Sequence, residues 1–132
     1  SRGHSVARLP LAGKSVLIIE DEVLIALGVE TCLRDAGADV VKIATSKASA
    51  QTALDEGILF DGAIVDLKLA DGDAGPLVRF LSERGIFVVI TTGYDIDMKE
   101  PAFGRVIAIL EKPYTGSDLI TAFINAFGRA IN

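Results

Sequence analysis

Five short apolar runs punctuate the chain: Val16-Leu17-Ile18-Ile19, Val40-Val41-Lys42-Ile43, Ala63-Ile64-Val65, Phe87-Val88-Val89-Ile90 and Val106-Ile107-Ala108-Ile109-Leu110. They are rich in branched residues and largely apolar on both faces, the pattern of strands covered by helices on either side. Segments of helical period lie between them. The first predicted helix runs from about Glu22 to Ala36, with Ile25, Val29, Cys32 and Ala36 on one face and Gly37 as its stop. A second runs from a Ser46 cap to about Glu56, ahead of Gly57. A third starts between Asp73 and Pro76, buries Leu77, Phe80 and Leu81, and ends at Gly85. The last has a Thr115 cap with Asp118 three residues on, then Leu119, Phe123, Ala126 and Ala130 at helical spacing. Residues 95–104 hold a fourth crossover helix that Pro101 and Gly104 make short or irregular. Alternating βα units imply a parallel sheet with right-handed crossovers, hence a doubly wound α/β sandwich.

Composition narrows the function. With 132 residues the chain suits one domain, and 50% hydrophobic against 23% charged residues argues for a packed core. Residues 1–13 read as a tether and 14–132 as the domain. A net charge of −5 offers no basic footprint for nucleic acid. No apolar run approaches the ~20 residues that cross a bilayer. Cys32 is the single cysteine, which excludes an internal disulfide or a cysteine zinc cage and fits a reducing, cytoplasmic compartment; its expected role is packing. Asp71-Gly72-Asp73 resembles part of a calcium loop, but the other spaced acidic ligands are absent, so it reads as a flexible loop after the third strand.

The apolar runs end in chemistry. The first leads into Glu20-Asp21-Glu22, the third into Asp66, the fourth into Thr91-Thr92-Gly93 and the fifth into Glu111-Lys112-Pro113. In an open α/β sheet the carboxyl ends of the strands share one rim, where ligands bind. Glu20, Asp21, Asp66, Thr92 and Lys112 should therefore converge. Many strands simply end in solvated polar residues, but this set at four such ends together favours a site. Gathered carboxylates repel one another unless a cation intervenes, and oxygen donors of this kind suit Mg²⁺. An ionised aspartate beside the metal can become an aspartyl phosphate, with the lysine neutralising phosphoryl oxygens and a threonine hydroxyl donating to one of them. That chemistry makes a switch rather than a turnover enzyme.

The segments Val16–Glu22, Ala63–Leu67, Ile90–Tyr94 and Leu110–Tyr114 resemble the response-regulator receiver domain of two-component signalling, over about residues 13–130. The resemblance implies a flavodoxin-like (βα)5 fold with strand order 2-1-3-4-5. It implies Asp66 as phosphoacceptor, with Mg²⁺ held by Glu20, Asp21, Asp66 and the carbonyl of Lys68. Thr92 would be the switch hydroxyl, chosen over Thr91 because it directly precedes the small residue Gly93, which leaves room for phosphate. Lys112 would contact the phosphate, and Pro113 would be cis, aiming that lysine inward. The Thr-Gly-Tyr ending resembles the receiver subgroup whose fourth strand reads Phe-Ala-Thr-Gly-Tyr. Implied partners are a histidine kinase or phosphotransfer protein and a downstream signalling protein. A homodimer through the face of the fourth helix, fifth strand and last helix is also implied.

One position departs from the family. Where it has Tyr or Phe three residues before the lysine, this chain has Ile109, which cannot swing a phenol between water and core; Tyr94 is then a candidate gate. His4 lies in the tether and is no internal phosphodonor. Two other functions fit parts of the pattern. A small Mg²⁺-dependent phosphohydrolase would carry a second Asp two residues after the nucleophile, where Lys68 stands. A receiver-like module working without phosphorylation is the other, to which Ile109 gives some room. No output segment follows the last helix, so the expectation is a stand-alone regulator acting by protein contact, or the receiver of a hybrid kinase.

Overall fold

The computed structural model describes residues 9–69, 71–93 and 106–131, with side chains through residue 128. The elements run β1 (Ser15–Ile19), α1 (Val23–Asp35), β2 (Val40–Ala44), α2 (Lys47–Asp55), β3 (Gly62–Asp66), β4 (Lys68–Leu69), β5 (Gly72–Asp73), α3 (Gly75–Glu83), β6 (Phe87–Thr92), β7 (Val106–Glu111) and α4 (Gly116–Ile131). Five strands form one parallel sheet in the order β2-β1-β3-β6-β7. With the small β4–β5 ribbon set aside, this is the expected 2-1-3-4-5 order. Tyr94 and the helix expected over 95–104 lie outside the described residues.

Alternation along the strands divides the core in two. Leu17, Ile19, Val65, Val88 and Ile90 pack towards α2 and α3. Val16, Ile18, Ile64 and Val89 pack towards α1 and α4. On α4, Leu119, Phe123, Ala126 and Phe127 are buried; Phe123 stacks on Phe127, which meets Phe87 edge-on. Each expected cap forms. Ser46 and Ser49 make a capping box on α2, and Thr115 and Asp118 exchange hydrogen bonds of 3.0 and 3.2 Å at the start of α4.

Four local expectations are corrected. The buried stripe of α1 is Ala26, Val29 and Leu33, while Ile25, Cys32 and Ala36 are half-buried. Apolar residues also occupy the outer side of α1 (Leu24 is 84% exposed), so period alone could not choose its face. On α3 the buried place goes to Val78, and half-buried Phe80 lies under the Arg84 guanidinium, 4.3 Å from the ring centroid. The stretch expected as a flexible loop around Asp71-Gly72-Asp73 contains the antiparallel β4–β5 ribbon. Finally, packing begins ahead of the boundary placed at residue 14. Leu11 is fully buried and donates its N–H to the Ala36 carbonyl at 2.8 Å, and Ala12 bridges Ala38.

Candidate functional site

Backbone pairing brings distant segments to one rim. Glu20 follows the end of β1, where its N–H donates to the Ala44 carbonyl of β2 at 3.0 Å. Asp66 closes β3 and pairs in register with Thr91 of β6. Lys112 follows β7 and donates its N–H to the Thr92 carbonyl at 2.7 Å, tying the last strand's end to its neighbour. The Lys112–Pro113 bond is cis, as the resemblance implied.

The side chains then meet. Carboxylate oxygens of Glu20, Asp21 and Asp66 lie within 4.8 Å of one another. Glu20 and Asp66 are buried, at 3% and 6% exposure, and Asp21 is half-buried. The Lys112 ammonium stands 3.3 Å from Asp66 Oδ2 and 3.5 Å from Glu20 Oε1. Two backbone amides hold the carboxylates in place: Glu22 N–H donates to Glu20 Oε2 at 3.1 Å, and Lys68 N–H to Asp66 Oδ1 at 3.2 Å.

One ammonium faces three carboxylates, and the electrostatics show it. Burial pushes the Glu20 carboxyl up to about 7, Asp66 adds to the rise, and the Glu22 amide and Lys112 only partly oppose it. For Lys112 burial works downward, yet the attraction of Glu20 and Asp66 prevails and its ammonium is held above the ordinary lysine range. The half-buried Tyr114 phenol is raised by burial and then by Glu20. A buried, negatively biased pocket with three hard oxygen donors and, among the described residues, no sulfur or nitrogen ligand fits Mg²⁺.

The remaining expected residues sit around this group. Lys68 begins β4, two residues past Asp66. Thr92 is buried at the end of β6, and by strand alternation it falls on the α2–α3 side, where half-buried Ile109 of β7 also packs. Gly93 is exposed, and a Cβ there would meet nothing within 4 Å among the described residues. Pro113 is exposed. Two further polar residues lie near the rim without an expected role there. Thr91, paired with Asp66, is 1% exposed, and its hydroxyl has no hydrogen-bond partner among the described residues. Tyr114 feels the charges of Glu20, Lys112 and Asp66. Thr91 stands at the end of the fourth apolar run, but only the β3–β6 register places it beside Asp66.

No protein-family model matches this sequence, and no curated protein matches it. Solved structures do. A response regulator receiver domain protein from Clostridium thermocellum is 25% identical, with a TM-score of 0.75 over 89% of this chain and 96% of that one. A sensor protein from a Polaromonas species is 24% identical, with a TM-score of 0.78 over 89% and 98%. The N-terminal domain of a response regulator/sensory box/GGDEF three-domain protein from Carboxydothermus hydrogenoformans is 21% identical, with a TM-score of 0.73 over 90% and 100%. The chain has the fold of response-regulator receiver domains.

Proposed function

We propose that this receiver fold works as a phosphoacceptor in a two-component relay, taking a phosphoryl group onto Asp66 from a phosphohistidine of a kinase or phosphotransfer protein. The observation that carries the reading is the Lys112 ammonium within 3.3 Å of Asp66 and 3.5 Å of Glu20, in a pocket of three converging carboxylates. A carboxylate oxygen of Asp66 attacks phosphorus, the P–N bond to the donor imidazole breaks, and the imidazole leaves with the bonding pair. The Lys68 amide fixes Asp66 Oδ1 during the attack. Lys112 neutralises charge on the incoming group. Thr92 supplies a hydroxyl donor at the end of β6 once the group has arrived.

Glu20, Asp21, Asp66 and the Lys68 carbonyl would hold Mg²⁺. When bound, the ion supplies positive charge to the phosphoryl oxygens. Transfer to its own aspartate makes the protein a switch in the cytoplasm rather than an enzyme of turnover, and its output is altered contact with signalling proteins. Among the described residues no helix is long and apolar enough to cross a membrane.

Incubation with acetyl phosphate and Mg²⁺, read by intact mass, tests the reading. The expected result is a gain of one phosphoryl group in the wild type and none in Asp66→Ala. Wild-type protein that gains nothing would support a module working without phosphorylation. Steady hydrolysis of a generic phosphate ester would support the phosphohydrolase.

A further inference from the structure

We propose that Asp71 is a positioning residue for the acceptor: its carboxylate latches the β4–β5 ribbon to the N-terminus of α2 and so fixes the main chain beside Asp66. The inference rests on the phosphoacceptor reading above.

Helix α2 already carries its own cap, with Ser49 N–H donating to Ser46 Oγ at 3.0 Å and Ser46 N–H to Ser49 Oγ at 3.0 Å. Asp71 takes the amides that this box leaves over. Its two carboxylate oxygens accept from Lys47 N–H at 3.1 and 3.0 Å, and one of them also accepts from Ala48 N–H at 3.4 Å. The Lys47 amide foremost holds the exposed Asp71 carboxyl below its ordinary range. A partner 24 residues away is not needed to cap this helix, so the contact is better explained by what it does for the ribbon.

The ribbon leads directly to the site. Gly72 pairs with Leu69 and Asp73 with Lys68. Leu69 is buried in the core and anchors the near strand. Lys68 then gives its N–H to Asp66 Oδ1. Gly72 has a φ of +124° and lies so close to α2 that a Cβ there would stand 3.0 Å from Lys47 Nζ, so the Lys47 side chain lies alongside the ribbon whose Asp71 its main chain holds. From the α2 N-terminus to the acceptor carboxylate the path is continuous: Lys47 amide, Asp71, paired ribbon, Lys68 amide, Asp66. Releasing Asp71 frees the amide that orients Asp66 and the carbonyl proposed to face the metal.

The test compares Asp71→Ala, Asp71→Asn and Ser46→Ala in the full chain. Amide hydrogen exchange at Lys68 and the rate of phosphoryl uptake from acetyl phosphate are both measured. Asp71→Ala is expected to speed Lys68 exchange and slow uptake about tenfold, the scale of a misplaced reacting group. Asp71→Asn keeps one acceptor oxygen and should recover most of the rate. Ser46→Ala removes a cap without touching the ribbon, so it should lower Tm and leave uptake unchanged. Wild-type exchange and uptake in Asp71→Ala would overturn the latch, as would equal slowing in Ser46→Ala. If the wild type takes no phosphoryl group, the phosphoacceptor reading fails on its own. Lys68 exchange in Asp71→Ala then still decides the latch, faster exchange supporting it and unchanged exchange overturning it.

Discussion

Glu20 gives up nearly all its contact with water on folding while it faces Asp66, and that combination makes the metal-free pocket sensitive to pH. Its carboxyl rises from the ordinary 4.5 to about 7, so the folded state binds this proton more tightly than the unfolded state does. The resulting stability is fully present below about pH 4.5 and is lost as pH climbs through about 7. Thermal unfolding in a chelator should therefore show Tm falling across that window in the wild type and a flatter profile in Glu20→Gln. Identical profiles would remove Glu20 as the cause. Because a metal ligand must be ionised, Mg²⁺ affinity measured by calorimetry should rise over the same window. Lys112→Ala leaves Glu20 and Asp66 facing each other without a cation; phosphoryl uptake is expected to fall by at least about a hundredfold, as when one charge-stabilising donor is lost. Glu20, Asp21, Asp66 and Lys112 were legible because each stands within two residues of the end of an apolar run. Thr91 was not, because its place beside Asp66 depends on strand register, which one sequence does not state.

Among the elements, β3 and α4 show how closely the layers approach. Gly62 opens β3 beneath Phe123, and a Cβ there would come 2.6 Å from Phe123 Cε1. Phe123 is fully buried and stacks on Phe127, so a shift of its ring would disturb its packing. Gly62→Ala should cost about 1–3 kcal/mol by overpacking, read as a drop in the urea midpoint; an unchanged midpoint would mean the ring can move. Strands and helix caps were readable because β-branched runs, Ser46 and Thr115 act locally. The β4–β5 ribbon was hidden because two-residue strands carry no period. The α1 face was misjudged because Val23, Leu24 and Leu27 add apolar residues on the side left exposed.

At the scale of the whole molecule, the parallel sheet serves to deliver four chain segments to one rim, with two helical layers burying the strands on either side. A metal that binds only the folded arrangement stabilises it by mass action. At a free Mg²⁺ concentration one hundred times Kd the gain is about 2.7 kcal/mol, which a thermal shift should register and a chelator reverse. Asp66→Ala should weaken that shift, because it removes one of the three gathered oxygen donors. The most direct measurement is to locate the phosphoryl group after acetyl phosphate and Mg²⁺ treatment. Borohydride reduction turns an aspartyl phosphate into homoserine, which peptide mass spectrometry assigns to a position. Homoserine is expected at position 66 and is lost when Mg²⁺ is chelated; homoserine at another position, or none under Mg²⁺, would contradict a phosphoacceptor role for Asp66.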